Sequence, residues 1–147
     1  ACDESIWKFD TSKVNIKPSK LTNSKFDPYI SGLTKQVEKY ERVPKSREAI
    51  KNALFQGSAV VFGVYLYSKF QEQLEKNNYV FQLPERGDYM MSGHAVIVTG
   101  YSDEKQAFKV RNSWSKYWGI NGDFWMPYII MESQFVDDLW KITFIEK

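Results

Sequence analysis

The residues of this chain whose types and spacing suit joint chemistry are His94, its only histidine, and Asn112. Two strand-like runs, His94–Tyr101 and Ala107–Ser113, flank the polar turn Ser102-Asp-Glu-Lys105, which is the pattern of a hairpin. With the turn centred near Asp103, positions that pair across it have numbers summing to about 206, and 94 with 112 meets that sum. The two side chains are therefore expected opposite each other on one face. An amide oxygen beside an imidazole N–H fixes the tautomer and ring orientation, leaving the other ring nitrogen free to take a proton from a nucleophile. That is the base and the orienter of a nucleophile–base–orienter triad. Trp114, two residues past Asn112 and so on the same side, is placed to keep water from that bond. A register slip of one residue would turn one partner away.

The elements that must hold such a pair are readable in outline. Residues 1 to about 45 show little periodicity, with Pro18, Pro28 and Pro44 and the polar run Lys17–Lys25, so extended and looping chain or a flexible surface segment is expected. Ser46 can cap a helix whose apolar positions Ile50, Ala53 and Leu54 fall three and four apart, with Gly57 placed to end it. Ala59–Leu66 runs apolar without alternation, as a strand covered on both faces would. A short helix with Phe70 and Leu74 on one side is expected around Lys69–Lys76. Beyond the hairpin, Asp123–Tyr128 and Leu139–Ile145 read as further strands. One helix followed by several antiparallel strands argues an α+β domain with a curled, barrel-like sheet over residues 46–147.

Composition narrows the function classes. The 147 residues are 43% apolar, enough to bury a core without a disulfide or metal staple. One Cys and one His rule out an internal disulfide and a zinc site of the usual Cys/His kind, and no cofactor is expected. Twenty basic against 18 acidic residues, with no basic cluster, argue against a nucleic-acid partner. The longest apolar run is far short of the roughly 18 residues a membrane span needs, so no membrane partner is expected. The chain begins with Ala and shows no targeting segment, which reads as a processed product or a fragment of something longer.

Ser92–Tyr101, with Gly93-His94-Ala95 inside it, and Val110–Gly119, reading Val-Arg-Asn-Ser-Trp-Ser-Lys-Tyr-Trp-Gly, together resemble the histidine and asparagine motifs of the papain-like cysteine proteases. The resemblance implies that His94 is the catalytic base, that Asn112 orients it, and that Trp114 and Trp118 shield the site and line its primed side. Position 115 is Ser where that family usually has Gly. The resemblance also places Val61, Ala95, Gly93 and Trp7 at substrate-binding positions of an S2 pocket or its surroundings, although Val61 and Ala95 read equally well as core packing. Trp7-Lys-Phe9 resembles a worn form of the family's aromatic-Pro-aromatic loop.

The same resemblance puts the nucleophilic cysteine about 40 positions before Ala1. Cys2 lacks the glycine-rich Cys-Trp surroundings and any following helix start that would lower a thiol pKa. It is read as a partner for a cysteine in the preceding segment or as a free surface thiol. The implied whole is a papain-like fold, here mainly its right, barrel-like domain (46–147) plus a remnant of the left domain (1–45). Its implied activity is hydrolysis of peptide bonds through a thioester acyl-enzyme. The partners are a peptide or protein substrate and an N-terminal segment carrying the Cys. A non-catalytic papain-like module that only holds peptide is the alternative, and an unrelated α+β domain with a chance His and Asn a distant third. Family resemblance suggests a lysosomal, vesicular or secreted setting, whereas a single Cys fits an intracellular or viral one.

Overall fold

Ser46 and Gly57 bound the first helix as their chemistry predicts. In the computed structural model, which describes residues 35–146, helix α1 (Arg47–Phe55) starts where the Ser46 side chain accepts the Ala49 N–H at 3.3 Å. Gly57, at φ +79, follows its last turn. Ile50 and Ala53 are its buried residues.

The described strands are β1 (Lys35–Arg42), β2 (Val60–Tyr67), β3 (Met90–Ser102), β4 (Ala107–Arg111), β5 (Asp123–Pro127) and β6 (Val136–Glu146). They form a sheet in the order β1-β6-β2-β3-β4-β5, antiparallel at every pairing from β6 to β5. Helix α2 (Phe70–Lys76) inserts Phe70 and Leu74 into the core, and a short helix α3 (Tyr128–Met131) follows β5. The architecture is α+β. Residues 40–142 form one compact unit, and the candidate site lies within it.

Three local expectations are corrected. A strand, β1, occupies residues that lack periodicity: its sequence is mostly charged or polar, with Val37 and Tyr40 exposed, and its place beside β6, not an apolar face, defines it. The run after Asp123 is a strand and then a helical turn, which begins after Pro127. β2 alternates instead of being covered on both sides: Val60, Phe62, Val64 and Leu66 are buried, Val61 and Gly63 half-buried, and Tyr65 exposed. Its outer side is apolar in sequence yet left partly open by the described residues.

Register decides the site. β2 pairs Val60 with Val98 and Val64 with His94, so the even-numbered residues of β3 from His94 to Val98 share the core side. Near the turn β3 pairs Ser102 with Ala107 and Gly100 with Lys109; past Thr99 it pairs Val98 with Val110 and Ile97 with Arg111. Thr99 is thus a one-residue bulge. Continued along the strand, the turn-proximal register would bring His94 opposite Ser115 and leave Asn112 on the other face. The bulge restores the match. The expected direct opposition of His94 and Asn112 is off by two residues, and they meet along a diagonal on the same side instead.

Candidate active site

His94 sits toward the start of β3, half-buried, where the strand emerges from the core. Asn112 follows the last residue of β4 and is buried, its backbone N–H donating to the Gly122 carbonyl at 2.9 Å. Their side chains meet: His94 Nε2 lies 2.9 Å from Asn112 Oδ1. The Ser113 backbone N–H donates to the same oxygen at 2.8 Å. A backbone N–H can only donate, so the atom it meets is the amide oxygen, and the imidazole nitrogen sharing that oxygen must carry a proton. In the neutral ring, Nδ1 is therefore the bare nitrogen, the one able to accept a proton.

This orientation has a cost. Asn112 Nδ2 is buried and has no hydrogen-bond partner among the described residues, a penalty of about 1–3 kcal/mol. Flipping the amide would set its NH₂ group against the Ser113 N–H and the imidazole N–H, so the two bonds to Oδ1 hold it in place. The Trp114 ring lies 5.1 Å from the His94 ring, tilted by 35°, and packs edge-on against Phe70 at 6.0 Å and Trp118 at 5.3 Å. Trp118 in turn touches Tyr79 and Phe124, and its indole N–H donates to Gln71 Oε1 at 2.9 Å. Sequence reasoning missed Gln71. Nothing in a seven-residue helix marks which polar side chain turns toward a distant indole.

A second group missed by sequence braces the loop after Asn112. Asp123 is buried and faces Arg111 across the β4–β5 ladder. It accepts from Arg111 Nε and from Nη2 at 3.0 Å, and Lys109 Nζ lies 3.1 Å away. Burial pushes its carboxyl up, but the guanidinium and ammonium groups outweigh that and hold it below the ordinary carboxylate range. Its backbone carbonyl also accepts the Ile120 N–H at 2.8 Å, which ties the end of the tryptophan-bearing loop to β5.

On the outer side of the sheet, Val61 and Ala95 line one shallow depression of about 240 Å³ together with Ile97, Arg111 and Ser113. Neither is a core residue. Gly93 lies on the same side, opposite Tyr65 and open to solvent, but does not line that depression. Trp7, Phe9 and Cys2 fall outside the described residues.

A papain family cysteine protease profile matches residues 10–134. The chain belongs to the papain family. It is similar to an uncharacterised peptidase C1-like protein of Acanthamoeba polyphaga mimivirus, 30% identical over 150 residues that cover 96% of this chain and 46% of that protein. A shorter match, 36% identical over 86 residues, covers 56% of this chain and 27% of cysteine proteinase 2 of Entamoeba histolytica. Among solved structures it is similar to xylellain, a cysteine protease from Xylella fastidiosa, with a TM-score of 0.73 and 30% identity over 97% of this chain and 56% of that one. The clostridial cysteine protease Cwp84 shares the fold at a TM-score of 0.65 and 19% identity, covering 99% of this chain and 37% of that one. The chain spans about half the length, or less, of these relatives.

Membership of the papain family gives meaning to the backbone of the tryptophan loop. Ser115, where the family usually has Gly, has φ +96, a conformation glycine adopts without steric cost and other residues rarely visit. Its hydroxyl oxygen offers partial compensation by accepting the Tyr117 N–H at 3.2 Å. Gly119 keeps its glycine at φ +60, and an added Cβ there would run into the Asp123 carbonyl oxygen. The loop backbone that carries Trp114 and Trp118 is therefore confined sterically at Gly119 and by the Ser115–Tyr117 bond.

Proposed function

We propose that this chain is the C-terminal part of a papain-like cysteine endopeptidase whose nucleophilic cysteine is supplied by a segment upstream of Ala1. The observation that carries the reading is the His94 Nε2–Asn112 Oδ1 bond, because it leaves Nδ1 as the proton acceptor under a tryptophan cover. In the assembled enzyme the thiol proton passes to Nδ1, giving a thiolate–imidazolium pair. The thiolate adds to the peptide carbonyl carbon. Collapse of the tetrahedral intermediate expels the amine, which takes the proton from Nδ1, and leaves a thioester. Water, deprotonated by the same nitrogen, then hydrolyses the thioester and frees the thiol. Asn112 keeps the imidazole aligned through each transfer. Val61 and Ala95 form part of the wall that receives the substrate residue two before the cut. The incompletely covered apolar side of β2 and β3, with Tyr65 and Met91 exposed, is consistent with a further domain packing there.

The test is turnover of a fluorogenic peptide by the whole protein. His94→Ala is expected to lose several orders of magnitude, and Asn112→Ala about 10- to 100-fold, as for loss of an orienting partner. Residues 1–147 alone are expected to be inactive and to gain no mass from an epoxide that alkylates active-site thiols. Equal turnover by the His94→Ala protein would remove the assigned role. Peptide binding without any turnover in the wild type would favour the non-catalytic alternative.

A further inference from the structure

The tryptophan loop carries two residues that the shield over His94 does not use. Tyr117 is 87% exposed, and Lys116, also exposed, places its Nζ 5.1 Å from the Tyr117 ring centroid. Lys116 has no carboxylate partner among the described residues. The backbone that carries the pair is hydrogen-bonded within the loop. Ser115 Oγ accepts the Tyr117 N–H, the Trp118 N–H donates to the Ser115 carbonyl at 3.2 Å, and the Gly122 N–H donates to the Trp118 carbonyl. The serine that replaces the usual glycine thus holds the Tyr117 backbone N–H.

Charge around the pair is one-sided. A methyl group built on Gly122 would lie 3.5 Å from Lys116 Cα and 3.7 Å from Arg111 Cδ, so Lys116 and Arg111 are neighbours. Arg111 and Lys109 share one buried carboxylate, Asp123, and that carboxylate cannot neutralise Lys116 as well. On the far side of Trp118, Glu72 is paired with Lys76, and Glu75, which accepts from the neutral Gln71 amide, keeps its charge. Lys109, Arg111 and Lys116 against Asp123 and Glu75 still leave the Lys116 side of the loop positive, with the Tyr117 ring beside it.

We propose that Lys116 and Tyr117 form a specificity element for the leaving half of the substrate, selecting peptides with an acidic side chain about three residues past the cut. The proposal rests on the endopeptidase reading. The leaving amine takes its proton at His94, whose ring is 5.1 Å from Trp114, and Lys116 is two residues further along the loop. That adds at most about 7 Å of chain to the 5.1 Å between the rings, about 12 Å in all, the reach of three to four extended peptide residues. Trp114, 40% exposed, and Tyr117 supply flat surfaces for the peptide between, and the Lys116 ammonium meets the carboxylate.

The experiment compares kcat/KM of the whole protein on peptides identical up to the cut and carrying Asp, Asn or Lys at the third position after it. Asp is expected to exceed Lys by about three- to tenfold in low salt, with Asn between, as befits one solvent-exposed charge pair. The spread should collapse near 1 M NaCl, where the screening length falls to about 3 Å. In Lys116→Glu the order should invert. The Asp-to-Lys ratio is read within each protein, so partial loss of folded enzyme cancels. An equal rate on all three peptides, or a ratio unmoved by Lys116→Glu, overturns the proposal while leaving the protease reading intact. No turnover of any peptide, nor of a control coumarin amide that has no leaving peptide, refutes the protease reading and this proposal with it.

Discussion

Replacing Gly119 with Ala should destabilise this protein by about 2–5 kcal/mol, and the structure supplies its own control in Gly57→Ala. Both glycines have positive φ, +60 and +79. At Gly57 an added Cβ meets nothing within 4 Å, so alanine there incurs only the left-handed penalty of about 1–2 kcal/mol. Reduced freedom of the unfolded chain offsets about 0.4–1 kcal/mol of that. At Gly119 the Cβ would overlap the Asp123 carbonyl oxygen, a backbone atom that cannot swing aside as a side chain can. Opening that contact pulls the carbonyl from the Ile120 N–H, a bond worth about 1 kcal/mol. It also drags the Asp123 carboxylate, only 3% exposed, away from Arg111 and Lys109, for a further 1–2 kcal/mol or so. Urea unfolding of the two variants at neutral pH measures the difference, read from the midpoint at constant slope. For Gly119→Ala the thermal midpoint should fall by about 6–12 °C. If the two variants lie within 1 kcal/mol of each other, the crowding at Gly119 is not real and the account of the loop's packing fails.

Asp123→Asn should cost about 2 kcal/mol at pH 7, since the bonds lost are to a charged acceptor. The Asp123 carboxyl lies below its ordinary 3.8 in the folded protein, so its contribution is present above that value and lost as pH falls through the lower folded one. The gap between wild type and variant in urea unfolding should therefore shrink below about pH 4; a gap unchanged at pH 3 would contradict the assignment. At position 115 the order of stability should be Gly at or above Ser, then Ala, with Ala about 1 kcal/mol below Gly because it keeps the strain at φ +96 and loses the Tyr117 bond. An alanine variant as stable as the glycine one would argue against the positive φ. Enlarging Val61 to Phe should fill part of the 240 Å³ depression and shift the preferred residue two before the cut toward smaller side chains, measured on a peptide library. An unchanged preference would remove Val61 from the pocket.

Much of the scaffold is written locally in the chain. Ser46 and Gly57 mark the ends of α1 through bonds and backbone angles within a few residues of themselves, and the Phe70–Leu74 spacing places α2 for the same reason. His94 and Asn112 are likewise legible, because the polar turn at Ser102–Lys105 forces the two runs into a hairpin and only a few registers then fit. Which register forms is not a local property. Thr99 bulges because Val98 must meet both Val60 on one side and Val110 on the other, while the residues nearer the turn follow the turn's own geometry, and the mismatch of one residue has to go somewhere. That bulge, invisible in any window of sequence, keeps His94 and Asn112 on one face. The partners of Trp118 and Asp123 are of the same kind. Gln71 lies on another element, and Lys109 and Arg111 reach Asp123 only after β4 and β5 have paired, so their interactions follow from burial and strand order. Residue type and spacing bring His94 and Asn112 together as candidates; the tertiary structure decides which nitrogen of His94 is left without a proton, because that depends on a backbone N–H at Ser113 sharing the same oxygen.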